Sequence, residues 1–271
     1  MEINRDIPKK AIVIFTKVPQ PGLVKTRLSE NTVLTDLDAA KIAEAMLKDT
    51  IILASSIKNS SICLGFFPQD KKKNLEQLIR SIRHQLNNSN MIHFFSQIGT
   101  NFDERFSSIL TQVFNFGFDY SVVLGADLPY LNPELIIYAF KELLETQESK
   151  SIILGPAGGG GAYLLGVSNQ FNPKWITQYN LFSSGVELLQ IVKLSKLFDI
   201  TLTLLPPLTD IDIEEDLVSL LSYIEAIQIS KKKDFYHFPE YTAEILKKLK
   251  LSIDYAPNKT RRRFIKKLES N

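Results

Sequence analysis

Four stretches of the sequence hold residue types suited to phosphate chemistry. Lys17–Leu28 reads KVPQPGLVKTRL and gathers Lys17, Lys25 and Arg27 into one loop, which Pro19, Pro21 and Gly22 give a defined shape. An arginine fork and lysine point charges are what meet phosphate oxygens, although a solvated basic loop has the same composition. Gly125–Pro129 reads GADLP and sets Asp127 just past an apolar run, where a carboxylate can hold a divalent cation or shape a turn. Asp210–Leu217 reads DIDIEEDL; Asp210 and Asp212 can face one side together, while Glu214, Glu215 and Asp216 suit the first turn of a helix. Gly155–Val167 reads GPAGGGGAYLLGV, and its run of Gly158, Gly159, Gly160 and Gly161 is either a hairpin turn or backbone bare enough to approach a nucleotide.

Asp127, Asp210 and Asp212 together would make a hard-oxygen site suited to Mg²⁺ or Mn²⁺. The basic loop is not a P-loop, because the spacing G-x-x-x-x-G-K-[ST] is absent. His84, His93 and His237 are scattered without metal-ligand spacing, and no Ser-His-Asp or Cys-His set can be assembled. A basic loop, strand-end carboxylates and a glycine run read as phosphate chemistry with a divalent ion, in which positioning and charge neutralisation do most of the catalysis.

These residues need elements to hold them. Ala11–Phe15 (AIVIF), Ser61–Phe67 (SICLGFF), Met91–Phe95 (MIHFF), Ser121–Gly125 (SVVLG), Ile152–Gly155, Ala162–Val167 and Ile200–Pro206 read as strands. Helices are expected after Thr35, where Asp36 and Asp38 occupy the first turn, along the run from Lys71, from Phe102 to Phe116, after Asn132-Pro133-Glu134, over Val186–Leu197, and near residue 225. Strands alternating with amphipathic helices predict a three-layer α/β/α fold of Rossmann type, with a mostly parallel sheet. The short gap between Gly155 and Ala162 permits one antiparallel strand. In such sheets ligands bind beyond the carboxyl ends of the strands, where all four stretches fall. Residues 1–230 read as one α/β domain and 231–271 as a basic helical extension, with Thr242–Leu251 its best helix.

The chain has 271 residues, 44% of them apolar and 23% charged, which is an ordinary globular composition. No apolar run is long enough for a membrane span, and the first ten residues lack the apolar stretch of a signal peptide. Cys63 is the single cysteine, which excludes an intrachain disulfide and fits a core position and a cytoplasmic location. The net charge is +2, but residues 231–271 carry 12 Lys/Arg against 5 Asp/Glu. Lys231–Lys233 and Arg261–Arg263 read as solvated faces or as a surface for an acidic partner; without zinc-finger spacing or an RNA-binding aromatic signature, nucleic acid is not expected.

In order and wording these motifs resemble the nucleotide-diphospho-sugar transferase superfamily with the glycosyltransferase-A fold. The nearest likeness is to the glycosyltransferase-like family called selenodomain-associated transferases, whose opening loop K-x-P-x-P-G-x-V-K-T-R-L matches Lys17–Leu28 throughout. The likeness runs through Gln97–Phe106 (QIGTNFDERF), GADLP, the glycine hairpin and Leu208–Leu217, and does not cover the tail. It implies that Lys17, Lys25 and Arg27 contact phosphates, that Pro21, Gly22 and Gly158–Gly161 line a nucleotide, and that Asp127 is a metal ligand with Asp210 or Asp212 its partner. Two positions depart from it: Gly158 and Gly159 replace an acidic pair, and Leu128 replaces a cysteine. Both resemble the 2-phospho-L-lactate guanylyltransferases instead. The expected activity is therefore a metal-dependent transferase with Asp127, Lys25 and Arg27 in catalysis, acting on a nucleotide sugar and a small-molecule acceptor as a glycosyltransferase. A nucleotidyltransferase using a nucleoside triphosphate is the alternative, and a non-catalytic nucleotide-binding or scaffold protein a third. A homo-oligomer stays open.

Overall fold

The apolar run after Lys9 forms β1 (Lys10–Lys17), whose Ala11 to Ile14 are fully buried. A run buried on both sides must be covered on both faces, as happens at the centre of a parallel sheet. In this computed structural model, which describes residues 8–87, 91–146, 150–230, 236–255 and 263–268, that is its place. The sheet has seven strands in the order β3-β2-β1-β4-β6-β5-β7. The remaining strands are β2 (Ser61–Phe67), β3 (Ile92–Ser96), β4 (Tyr120–Gly125), β5 (Ser151–Pro156), β6 (Ala162–Ser168) and β7 (Thr201–Leu204). Ile12 pairs with Ile62 of β2 and Val122 of β4 in parallel register. Only β6 runs against its neighbours, with Val123 opposite Leu165 and Leu154 opposite Leu165.

Alternate side chains feed two cores. Ile12, Ile14, Leu64, Val122 and Leu124 pack beneath α2 (Asp36–Ser56), α3 (Lys72–Ile82), α5 (Pro133–Glu145) and α8 (Glu214–Ile229). Ala11, Val13, Cys63, Val123 and Leu154 pack against α4 (Phe102–Asn115), α6 (Lys174–Gln178) and α7 (Glu187–Phe198). The layers are therefore α/β/α, as expected. Cys63 is wholly buried, and burial pushes its thiol up to about 12, which suits an inert core residue. Among the described residues, no helix is long and apolar enough to cross a membrane.

The expected helix starts are present with their chemistry. Thr35 Oγ1 accepts from the Asp38 N–H at 3.2 Å and Asp38 Oδ2 accepts from the Thr35 N–H at 3.0 Å, a capping box at the start of α2. The Asn132 side chain accepts from the Glu134 N–H at 2.9 Å, ahead of Pro133. A one-turn helix, α1 (Thr26–Ser29), lies inside the basic loop and was not foreseen.

The tail departs in part from the expected basic helical extension. It holds one helix, α9 (Glu240–Lys248), and then an antiparallel pair, β8 (Leu251–Tyr255) and β9 (Arg263–Lys267). The physical reason is packing. Leu246 and Ile265 are buried in the first core, so the segment docks on the domain instead of projecting from it. Asp49 of α2, 1% exposed, accepts from the Thr242 N–H at 2.8 Å, the Thr242 hydroxyl at 2.6 Å and the Tyr241 N–H at 3.1 Å. Lys267 Nζ donates to Asp38 at 2.7 Å and the Ile265 N–H to Glu214 at 2.8 Å, which ties β9 to the first turns of both α2 and α8. The basic runs at 231–233 and 261–262 lie outside the described residues.

Candidate functional site

The basic loop is anchored at its base and presents its charges at the carboxyl end of β1. Val24 packs with Ala40 and Ala43 of α2, and Leu28 is fully buried. Between these anchors Gly22 takes φ +74 and Lys25 takes φ +48. A left-handed backbone at a lysine is uncommon, and it turns the side chain of Lys25 inward, leaving it 14% exposed. Lys17 Nζ donates to the Leu23 carbonyl at 3.4 Å and so braces its own loop.

Two carboxylates meet Lys25 from other strand ends. Asp127 stands two residues past β4, and its carbonyl accepts from the Ile211 N–H at 2.9 Å, which binds the 210–212 segment to the GADLP turn. Ile211 is fully buried, so Asp210 and Asp212 on either side of it are left at the cavity wall. Tyr130 Oη donates to the Thr209 carbonyl at 2.7 Å, and the Asp216 carboxylate accepts from the Asp212 and Ile213 N–H groups, each at 2.9 Å. Asp216 thus caps α8 and fixes the backbone of Asp212 at once.

Lys25 Nζ donates to Asp127 Oδ2 at 3.1 Å and lies 3.6 Å from Asp212 Oδ1. Arg27 Nη1 reaches the other oxygen, Asp212 Oδ2, at 2.6 Å and remains 68% exposed. The result is an alternating row: Asp127, Lys25, Asp212, Arg27. Burial works against the Lys25 charge, but Asp127 and then Asp212 outweigh it and hold the ammonium above its ordinary range. Burial, and next the charge of Asp127, push Asp210 up to about 6.

The row separates two cavities of about 490 Å³ each. One lies over the basic loop, walled by Lys17, Leu23, Lys25, Thr26 and Met46. The other lies over the β4–β6 ends and takes in Asp210, Gly161, Tyr163 and Glu187. Phe15, Phe102, Arg27, Asp127 and Asp212 belong to both. Phe15, Phe102, Phe106 and Phe182 form a wall of rings with centroids 4.5–6.0 Å apart. Buried Asp103 supports it by accepting from the Phe182 N–H at 2.9 Å and the Ser183 N–H at 3.3 Å. The phenylalanines were missed in the sequence; the i, i+4 pair Phe102 and Phe106 was legible only as a helix face.

A protein of Desulfovibrio desulfuricans G20 proposed to be a nucleotide-diphospho-sugar transferase superposes with a TM-score of 0.68 at 23% identity, over 89% of this chain and 95% of that one. The chain shares its fold. A cytidylyltransferase from Leptospira borgpetersenii serovar Hardjo-bovis gives a TM-score of 0.53 at 16% identity, over 89% of this chain and 95% of that one. The 4-diphosphocytidyl-2C-methyl-D-erythritol synthase of Anaerococcus prevotii DSM 20548 gives 0.51 at 11% identity, over 80% and 99%. Residues 59–183 match a family described as "Uncharacterized protein conserved in bacteria (DUF2064)". That span includes Asp127 and the glycine run and leaves out the basic loop, Asp210 and Asp212. No curated protein matches the sequence.

The carboxylates suit a divalent cation in chemistry and placement. Mg²⁺ is usually held by one or two carboxylates together with substrate phosphates and water. Asp127 and Asp212 already share one cation, the Lys25 ammonium, as a stand-in. Among the described residues no group of three His, Cys, Asp or Glu is arranged for a metal; Asp127 and Asp212 meet at Lys25, and Asp210 lies beside them in the cavity wall.

The glycine run is a tight turn. Gly161 N–H donates to the Gly158 carbonyl at 3.2 Å and the Ala157 N–H to the Gly161 carbonyl at 2.9 Å. Gly159 and Gly160 take φ +66 and +89, which explains glycine at those two positions by backbone alone. A Cβ on Gly158, Gly159 or Gly160 would meet nothing within 4 Å, and of the four only Gly161 lines either of these two cavities. Pro21 and Gly22 shape the basic loop without lining either cavity.

Proposed function

We propose that this chain is a metal-dependent transferase using a nucleotide-activated donor, and that it transfers a glycosyl group to a small-molecule acceptor. The observation that carries this reading is the Asp127–Lys25–Asp212–Arg27 row at the shared border of two cavities. The donor's phosphates lie over Lys17, Lys25 and Arg27, with the nucleotide in the cavity above the basic loop. The acceptor enters the second cavity against the phenylalanine wall.

Lys25 and Arg27 neutralise charge that builds on the leaving phosphate, an effect stronger at Lys25, which is largely shielded from water, than at the exposed Arg27. Asp127 and Asp212 would hold Mg²⁺ or Mn²⁺, which supplies further charge neutralisation on the diphosphate. The buried ring cluster at Phe106 excludes water from one side of the reacting centre. Asp210, in the wall of the second cavity, is placed to accept a proton from the acceptor.

Nucleotidyl transfer is the second reading. Gly158 and Gly159, which stand where the glycosyltransferase-like family carries an acidic pair, favour it. One experiment separates the two. Purified protein with Mn²⁺ is offered nucleotide sugars and nucleoside triphosphates together with mixed small-molecule acceptors, and the products are resolved. Release of nucleoside diphosphate from a nucleotide sugar supports glycosyl transfer; pyrophosphate from a triphosphate supports nucleotidyl transfer. Failure of every nucleotide to bind, with or without Mn²⁺, would sink both.

A further inference from the structure

We propose that Lys25 is the resident counter-ion of the Asp127–Asp212 pair, so that a divalent cation binds only by displacing it, and metal and nucleotide bind as a coupled pair. This rests on the reading of those aspartates as the metal ligands.

The geometry leaves one place for one cation. Lys25 Nζ stands 3.1 Å from Asp127 Oδ2 and 3.6 Å from Asp212 Oδ1. A Mg²⁺ or Mn²⁺ ion taking both carboxylates as ligands would have to enter the space between them that the ammonium fills. An ammonium and a dication cannot share it. The lysine must leave, and its surroundings make leaving costly. Its side chain is 14% exposed, and its backbone is held at φ +48 between the buried anchors Val24 and Leu28. A buried ammonium taken from its carboxylates needs another anion.

Among the described groups, anions near Lys25 besides Asp127 and Asp212 include Asp210, Asp36, Glu187 and Asp216, the last already accepting from the Asp212 and Ile213 N–H groups. Asp36 already accepts from Ser29 Oγ at 2.6 Å, and Asp210 and Glu187 lie in the wall of the neighbouring cavity. Arg27, exposed and on the far oxygen of Asp212, reinforces that carboxylate without competing for the bridging position. A diphosphate over the basic loop is the anion that fits. It gives Lys25 a new partner at the moment the metal takes the old one. Each ligand then raises the affinity of the other by the same factor. Metal alone binds weakly, and the carboxylates stay neutralised when no substrate is present.

The test measures Mn²⁺ binding to the full chain by the loss of the free-ion spin-resonance signal, without nucleotide. Proteins compared are the wild type, Lys25→Met, Lys25→Gln, and Lys25→Met combined with Asp127→Asn. Removing the ammonium should strengthen Mn²⁺ binding on the order of tenfold or more, within the usual range of coupling between sites. Asp127→Asn should abolish the gain. A gain in affinity cannot arise from a damaged fold, and the glutamine variant covers a failure of the methionine variant to fold. With GDP or CDP present, corrected for the metal each nucleotide binds by itself, wild type should approach the variants. Equal Mn²⁺ affinity in wild type and both lysine variants, sensitive to Asp127→Asn, would overturn the counter-ion role and leave the metal site standing. No Mn²⁺ binding by any protein would overturn the metal site itself, and the counter-ion role with it.

Discussion

Gly125→Ala is a change of one methyl group that should disable the site while sparing the fold. A Cβ on Gly125 would fall 2.4 Å from Asp127 Oδ1, where ordinary contact begins near 3.4 Å. The atom it meets is the end of a side chain, so Asp127 yields rather than the backbone, and its carboxylate moves by about 1 Å. The 3.1 Å bond to Lys25 cannot survive that movement unchanged. Losing a glycine from the unfolded chain adds about 0.4–1 kcal/mol of stability, which offsets most of the local strain. Stability should therefore change by no more than about 1 kcal/mol, whereas a displacement of about 1 Å in a reacting group can cost about a hundredfold. Initial rates of transfer in Mn²⁺, with thermal melts of both proteins, measure the two effects separately. A wild-type rate in a variant of wild-type stability would refute the role given to the Asp127 position.

Three further outcomes are expected. Gly155→Ala is the opposite case, because its Cβ would fall 2.4 Å from the buried Tyr163 ring, whose hydroxyl donates to the Pro206 carbonyl at 3.0 Å; overpacking should cost about 1–3 kcal/mol in denaturant titration, and an unchanged midpoint would contradict it. Gly158→Ala should leave stability within about 0.5 kcal/mol, since its Cβ meets nothing, so any fall in nucleotide affinity reports contact between ligand and turn. Burial pushes the Asp49 carboxyl up from 3.8 to about 6. The folded state then holds the proton more tightly, so this group favours folding at low pH and loses that contribution, about 3 kcal/mol, as pH rises from about 4 to 6. Chemical unfolding across that range should show wild type falling relative to Asp49→Asn, and parallel profiles would rule the effect out.

The strands were legible because each is a short apolar run bounded by turn residues, and β2 begins and ends where its pattern does, at Ser61 and Phe67. The helix starts at Thr35 and Asn132 were legible for the same kind of reason: a cap is a local device. The tail hairpin was not. Leu251–Tyr255 and Arg263–Lys267 are short, half-polar segments, and their pairing is decided by docking on α2 and α8. The site was legible as four stretches but not as a row. Lys25 and Asp127 lie 102 residues apart, and Arg27 and Asp212 lie 185 apart, so nothing local announces which charge faces which. The phenylalanine wall was hidden similarly, since Phe15, Phe102 and Phe182 come together only through the sheet and its loops.

The hydrogen bonds that tie β9 and α9 to the domain have a consequence for the order of events in folding. Asp49 waits for Thr242, 193 residues later, and Asp38 for Lys267, 229 residues later. Contacts so distant along the chain close late, because the loop entropy is lost before the contact repays it. During synthesis the sheet and both cavities can assemble while Asp49 still faces water as a free, charged group. The first turns of α2 and α8, which follow directly from the basic loop and the aspartate segment, are stapled only when residues 263–267 have emerged. The border between the two cavities would then be among the last parts of the molecule to become rigid, although its strands are among the first to be made.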